Sequence, residues 1–116
     1  MLNGTASTLP PEIGQMESLE YLRISNLPLA KIPKEIAQLK QLHYLALENL
    51  VLKDFSFLET LPNLKTLLLV NCDLSLFPSE IKSLSKLEIL NLDKNKIVSF
   101  PNWFSDLSHI KRLILS

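Results

Sequence analysis

The sequence predicts an α/β solenoid: a right-handed horseshoe with a concave parallel β-sheet and short convex helices or 3₁₀ turns. Three observations carry that prediction. The first is register. Leu19, Leu42, Leu64, Leu87 and Ile110 follow one another in steps of 23, 22, 23 and 23 residues. The second is that neighbouring columns keep the same steps. Leu22, Leu45, Leu67, Leu90 and Leu113 form one; Ile24, Leu47, Leu69, Leu92 and Leu115 another. Further along lie Ile13, Ile36, Leu58, Ile81 and Phe104, then Met16, Leu39, Leu61, Leu84 and Leu107. The third is a recurring apolar-proline pair, at Leu9-Pro10, Ile32-Pro33, Phe77-Pro78 and Phe100-Pro101. A fixed period of this length marks an array whose units bury a core only by stacking on their neighbours.

The most regular unit, 87–109, justifies each element in turn. Leu90 and Leu92 alternate with Ile89 and Asn91, which is strand periodicity. Leu90 and Leu92 then face inward, leaving Ile89, Asn91 and Asp93 on the other side. Such strands pair in parallel at about 4.7–4.9 Å from unit to unit. Asn95 follows at the turn, where an amide can satisfy backbone groups of adjacent turns. Phe100-Pro101 is expected to re-enter the core and open a short helical segment, with proline at the first helical position. Glu12, Glu35 and Glu80 each stand two residues after such a proline, where a helix N-terminus favours negative charge. Ile81 and Leu84 then sit at i, i+3 spacing on one face. The resulting division is one domain, 1–116. It comprises a partial unit 1–18, units 19–41, 42–63, 64–86 and 87–109, and a partial unit 110–116.

These residues resemble the leucine-rich repeat family, in its class of about 23 residues, L-x-x-L-x-L-x-x-N/C-x-L-x-x-L-P-x-x-I-x-x-L. The resemblance runs from residue 9 to 115. It implies a curved scaffold whose concave face binds another protein. Similar repeats occur in Ras-binding scaffolds, in multidomain GTPase and kinase proteins, and in secreted proteins of bacterial pathogens.

The chain departs from that pattern in three places. The asparagine column reads Leu27, Leu50, Cys72 and Asn95, while Asn26, Asn49 and Asn71 stand one place earlier. Two readings are open: a shifted turn in which these asparagines cap the backbone, or leucines filling the core while water satisfies the turn. Unit 42–63 lacks the proline and one residue, Phe55-Ser56-Phe57-Leu58 replacing Phe77-Pro78-Ser79-Glu80-Ile81. Its outer segment is expected to be less helical, with Phe57 partly exposed. By register Met1 falls inside a strand and Ser116 ends one, with no polar capping unit at either side. Two explanations compete: a segment of a longer array, or ends that pair with another copy.

Composition narrows the function. Twelve basic and twelve acidic residues cancel, so nothing favours nucleic acid or anionic lipid. One cysteine, Cys72, excludes an internal disulfide or a cysteine-rich zinc site, and it reads as a buried repeat residue. No run reaches the roughly 18–20 apolar residues of a membrane helix. The first residues lack the features of a signal peptide, and the sequon Asn3-Gly4-Thr5 reads as coincidence. Together with the lack of disulfide-bonded caps, this leans towards a cytoplasmic location, or towards a secreted bacterial protein if the N-terminus is truncated. His43 and His109 are the neutral-pH acid-base groups, 66 residues apart and without a recurring carboxylate partner. Asp106 and His109 share a convex loop without the geometry of a triad. The chain is expected to be non-enzymatic, with no metal and no cofactor.

The candidate site is the outward side of the strands. Its expected partner-binding residues are Tyr21, Arg23, His43, Tyr44, Glu48, Leu68, Ile89, Asn91 and Asp93. Tyr21 and Tyr44 are expected to stack in adjacent strands, next to Thr66 and Ile89. A row of Tyr21, Tyr44, Leu68 and Ile89 flanked by Arg23 and Glu48 is expected to suit a protein or peptide ligand. The competing reading is that they cover the sheet by cross-strand packing. Trp103, beside Phe104, is expected to shield the core on the convex side. The concave charges mix Arg23, Lys65 and Lys94 with Glu20, Glu48, Glu88 and Asp93, and form no basic stripe. The function expected is protein interaction through the concave face. The alternatives are a structural segment of a larger signalling or effector protein, or a unit that self-associates end to end.

Overall fold

A computed structural model describes residues 9–27 and 31–115. The strand placed over Met1, the sequon at Asn3 and the strand end at Ser116 lie outside the described residues. Among the described residues, five strands form one parallel sheet in chain order. They are β1 (Tyr21–Ser25), β2 (Tyr44–Glu48), β3 (Thr66–Val70), β4 (Ile89–Asn91) and β5 (Arg112–Ile114). Each is a few residues long because alternation holds only across L-x-L. Pairing carries each residue onto its equivalent one repeat away: Leu22 with Leu45, Leu45 with Leu67, Leu67 with Leu90, Leu90 with Leu113. The solenoid expected from the spacing is therefore the fold.

3₁₀ helices return the chain at Pro11–Gln15, Lys34–Gln38, Ser56–Thr60, Ser79–Ser83 and Asn102–Asp106. A 3₁₀ turn, tighter than an α-helix, suits a five-residue connector. The prolines stand one place earlier than expected. Pro10, Pro33, Pro78 and Pro101 are extended, with φ between −61° and −70°, immediately before the helix. Their preset φ delivers the chain into the first turn without a side-chain cap. Glu12, Glu35 and Glu80 occupy that turn as expected. Helices are bulkier than strands spaced at about 4.8 Å, so the sheet takes the inner, concave side of the array.

The core is one continuous cluster of stacked side-chain columns between sheet and helices. Leu45, Leu47, Leu58, Leu67, Leu69, Ile81 and Leu90 have no exposed surface. Gly14 marks where the first two helices meet. A Cβ there would stand 2.7 Å from the Glu35 carbonyl oxygen, so any side chain would push the two turns apart.

Unit 42–63 differs from expectation. Its outer segment forms a 3₁₀ helix of the same five residues as the others, and Phe57 is 6% exposed rather than presented to solvent. Asp54 replaces the missing proline: its Oδ1 accepts a hydrogen bond from Ser56 N at 2.9 Å and turns the chain. With one residue fewer, the aromatic that fills the core moves from the Phe55 position to Phe57, and Phe55 is only half-buried beside it. Phe100 also departs from expectation. It is 55% exposed, although Leu9, Ile32 and Phe77 in the same column are buried. Phe100 stacks instead on Phe104 at 4.7 Å and meets Phe77 edge-on at 5.6 Å. Trp103 is half-buried against the core, as expected, edge-on to Phe77 and under the Lys82 ammonium at 5.5 Å.

Candidate functional site

The outward side of the sheet resolves into rows because parallel pairing aligns equivalent positions. Tyr21, Tyr44, Thr66, Ile89 and Arg112 form the first row. Arg23, Ala46, Leu68, Asn91 and Ile114 form the second. Ser25, Glu48 and Val70 begin a third, which Asp93 continues through the bond from Asn71 N to its carbonyl. Leu68 thus stands between Ala46 and Asn91, not in the tyrosine row expected for it; Thr66 lies between Tyr44 and Ile89, as expected from its spacing. Adding the repeat step to Tyr44 leads to Thr66 and not to Leu68, so the sequence carried the signal.

Tyr21 and Tyr44 stack face to face, with ring centroids 3.9 Å apart and planes 6° from parallel. Adjacent strands hold the two rings at nearly the thickness of an aromatic stack. The Tyr21 hydroxyl, followed by partial burial, pushes the Tyr44 phenol up to about 12. The Tyr44 phenol therefore remains a neutral hydrogen-bonding group at physiological pH. Tyr21 is 57% exposed and offers the open ring face.

Arg23 reaches diagonally to Glu48, donating from Nη2 at 2.6 Å and from Nε at 3.1 Å. Ala46, paired with Arg23, is fully buried although its strand position faces outward. At this exposed site the Arg23–Glu48 pair fixes geometry more than it adds stability. Farther along, Leu68, Val70 and Ile89 are half-buried, and Asn91 Oδ1 accepts from Asp93 N at 2.9 Å. Asp93 Oδ1 is buried without a hydrogen-bond partner. His43 lies at the sheet's leading edge, where its backbone carbonyl accepts from Lys65 and Thr66 N–H groups. The nine expected residues all lie on this side of the sheet or its edge. The geometry brings Tyr21, Arg23, Tyr44 and Glu48 together at one end and Leu68, Ile89, Asn91 and Asp93 at the other.

The turn below the sheet contains two polar devices. Asn26, Asn49 and Asn71 have left-handed backbone, at φ 61°, 59° and 54°, a region asparagine tolerates better than most residues. Their side chains bond one another rather than the backbone: Asn49 Nδ2 donates to Asn26 Oδ1 and Asn71 Nδ2 to Asn49 Oδ1, each at 2.7 Å. Leu27 and Leu50 meanwhile fill the core. Half of each open reading therefore holds. Asn95 satisfies the turn as expected. Its Oδ1 accepts from Cys72 N and Leu74 N, and its Nδ2 donates to the Leu69, Leu92 and Asp93 carbonyls.

Cys72 is buried, with Sγ 3.4 Å from the Leu47 carbonyl oxygen. Burial pushes its thiol up to about 11. The folded chain is therefore expected to react with iodoacetamide at pH 8 only as fast as it opens; brisk modification of the native state would contradict this placement. The raised value also carries a pH sign. The stabilisation is intact below about 9 and is lost as pH rises towards 11, by at most about 1.4 kcal/mol per pH unit. His109 Nε2 is buried and unpartnered, so Asp106 does not engage it through that atom. Among the described residues no group of histidine, cysteine or carboxylate side chains is placed to hold a metal ion, and no helix is long and apolar enough to cross a membrane.

Comparison with known proteins agrees with this architecture. A family model described as leucine rich repeat matches residues 62–116. Receptor like protein 27 of Arabidopsis thaliana is 43% identical over 54 residues, which are 46% of this chain and 7% of that protein. Residues 62–116 thus carry the leucine-rich repeat of that family. Among solved structures, a leucine-rich repeat protein of Leptospira interrogans superposes with a TM-score of 0.84 at 35% identity. The match covers 96% of this leucine-rich repeat chain and 29% of that one. The plant peptide hormone receptor RGFR1 in complex with RGF2 gives a TM-score of 0.68 at 25% identity, over 99% of this chain and 20% of the receptor. The chain thus spans less than a third of each of these proteins. Its architecture is that of a protein-interaction module.

Proposed function

We propose that this leucine-rich repeat array is a non-catalytic module that takes a protein or peptide partner on the concave face of its sheet. The observation that carries the reading is the stacked Tyr21–Tyr44 pair beside the half-buried apolar strip of Leu68, Val70 and Ile89. Tyrosine offers a large, stiff contact surface at low entropic cost, and the stack orders both rings before any ligand arrives. The Arg23–Glu48 pair holds a polar rim next to it. Similarity to a plant receptor described in complex with a peptide hormone supports the same reading.

The test is selection of a displayed random peptide library on the folded chain, followed by affinity measurement on the selected peptides. Tyr44→Ala is expected to weaken those peptides by about 30-fold, the scale of an interface hot spot of about 2 kcal/mol. Ser105→Ala, exposed on a convex helix, is expected to leave them unchanged. Peptides whose affinity survives Tyr44→Ala but falls with Ser105→Ala would place binding elsewhere and sink the proposal.

A second reading is a structural segment of a larger signalling or effector protein. It is supported by the small share of its relatives' length that the chain covers. There, partner-contacting residues would lie in units outside this stretch, and the library would yield no peptide sensitive to Tyr44.

A further inference from the structure

Unit 42–63 leaves a mark on the convex side that the concave reading does not use. Between the 3₁₀ helices Lys34–Gln38 and Ser56–Thr60 runs an open groove of about 410 Å³. It lies where the chain is one residue short between Phe55 and Leu58 and where Asp54 replaces the proline. Its lining is mostly apolar, with Ala37 and the edge of Phe57 along its length. Its volume falls within the usual range of ligand-binding clefts, about 300–1,000 Å³.

The charges at the rim are uneven. One wall contributes Lys31 and Lys34; the opposite wall contributes Asp54 and Ser56. The Asp54 carboxylate is already engaged by the Ser56 N–H at 2.9 Å, which, with a smaller contribution from Lys31, holds it below its usual range. Neither Lys31 nor Lys34 forms an ion pair among the described residues. The first-turn acid of helix 56–60 is Glu59, two places later than Glu12, Glu35 and Glu80 stand in theirs, and it lies outside the groove. An apolar trough with two lysines outside any ion pair on one wall, against one carboxylate already held by Ser56 on the other, is complementary to an apolar side chain flanked by carboxylates.

We propose that this groove is a second docking site, for a short acidic and apolar segment of a partner protein. An apolar side chain lies against Phe57 and Ala37, and flanking carboxylates meet Lys31 and Lys34. The site is on the opposite side of the array from the tyrosine stack, so the two readings stand or fall separately.

The experiment uses an acetylated, amidated pentapeptide alternating glutamate and leucine, titrated into the isotopically labelled chain. A second peptide with lysine in place of glutamate serves as the comparison. Saturable amide shifts are expected in 31–37 and 54–60, from the glutamate peptide only. The double variant Lys31→Glu, Lys34→Glu is expected to weaken that peptide about tenfold and to reverse the preference, since both exposed pairs turn from attraction to repulsion. Ala37→Gln, which adds bulk without charge, is expected to abolish the shifts. Unchanged strand amides establish that each variant folds. Equal binding of both peptides, shifts confined to the sheet face, absence of saturation, or indifference to charge reversal would each overturn the proposal.

Discussion

Asn95→Ala is expected to lower the unfolding free energy by about 3 kcal/mol, the largest loss from any single polar side chain in the array. The amide serves five backbone groups in two units: Cys72 N, Leu74 N and the carbonyls of Leu69, Leu92 and Asp93. Truncation removes every one of these partners at once. The cost stays below the sum of five because Asn95 is only half-buried, and water reaches part of the vacated turn. The Asp93 carbonyl also retains its bond from Asn71 N. Asn95→Asp separates the two halves of the amide. It keeps the acceptor for Cys72 and Leu74 but turns a second oxygen on three carbonyls, so it is expected to be nearly as harmful at neutral pH. Urea denaturation measures both. A loss under about 1 kcal/mol for Asn95→Ala would mean that the turn is held by something other than this side chain.

Leu67→Ala is the second large effect, at about 3–5 kcal/mol. Leu67 has no exposed surface and lies in the middle strand, between Leu45 and Leu90, which are equally buried. Neighbours on both sides belong to rigid, fully packed columns, so the hole can close little. That cost is a large fraction of the roughly 5–15 kcal/mol holding an ordinary domain together. In a one-dimensional array it also falls on a single junction, since each unit touches only its neighbours. The variant is therefore expected to unfold in two steps. Trp103 reports the units after the break, and far-ultraviolet circular dichroism reports the whole chain. Coincident transitions from both probes, with little change in midpoint, would contradict the picture of a junction that fails locally.

The columns made the fold legible because a solenoid writes its contacts into its period. Leu45 packs as Leu22 and Leu67 do because the same geometry recurs, and no distant pairing has to be guessed. Positions that break the period were harder to read. Phe57 was expected at the surface because the missing proline suggested a loosened turn; an aspartate side chain closes that turn as well, and only coordinates reveal it. Phe100 shares its column with buried residues, but burial depends on what is stacked over it, which the column does not state. Leu68 resembles Ile89 chemically, yet pairing alone decides a row and sets it beside Ala46. The Asn26–Asn49–Asn71 contacts were half-visible. Their spacing showed a shared turn, while the choice between backbone and side-chain partners required rotamers.

That ladder restricts how such a gene can grow by tandem duplication. The left-handed column runs Asn26, Asn49, Asn71 and then Lys94, and a lysine cannot pass an amide bond onward. Beyond that point Asn95 takes over from the neighbouring column, where Leu27 and Leu50 stand in earlier units. A second copy of unit 42–63 inserted after itself would simply lengthen the run of amides by one. A copy of unit 87–109 placed among the earlier units would interrupt it and set an asparagine where leucine belongs in the core. The repeats look interchangeable by their leucines, yet their turns allow them to be copied in some orders and not in others.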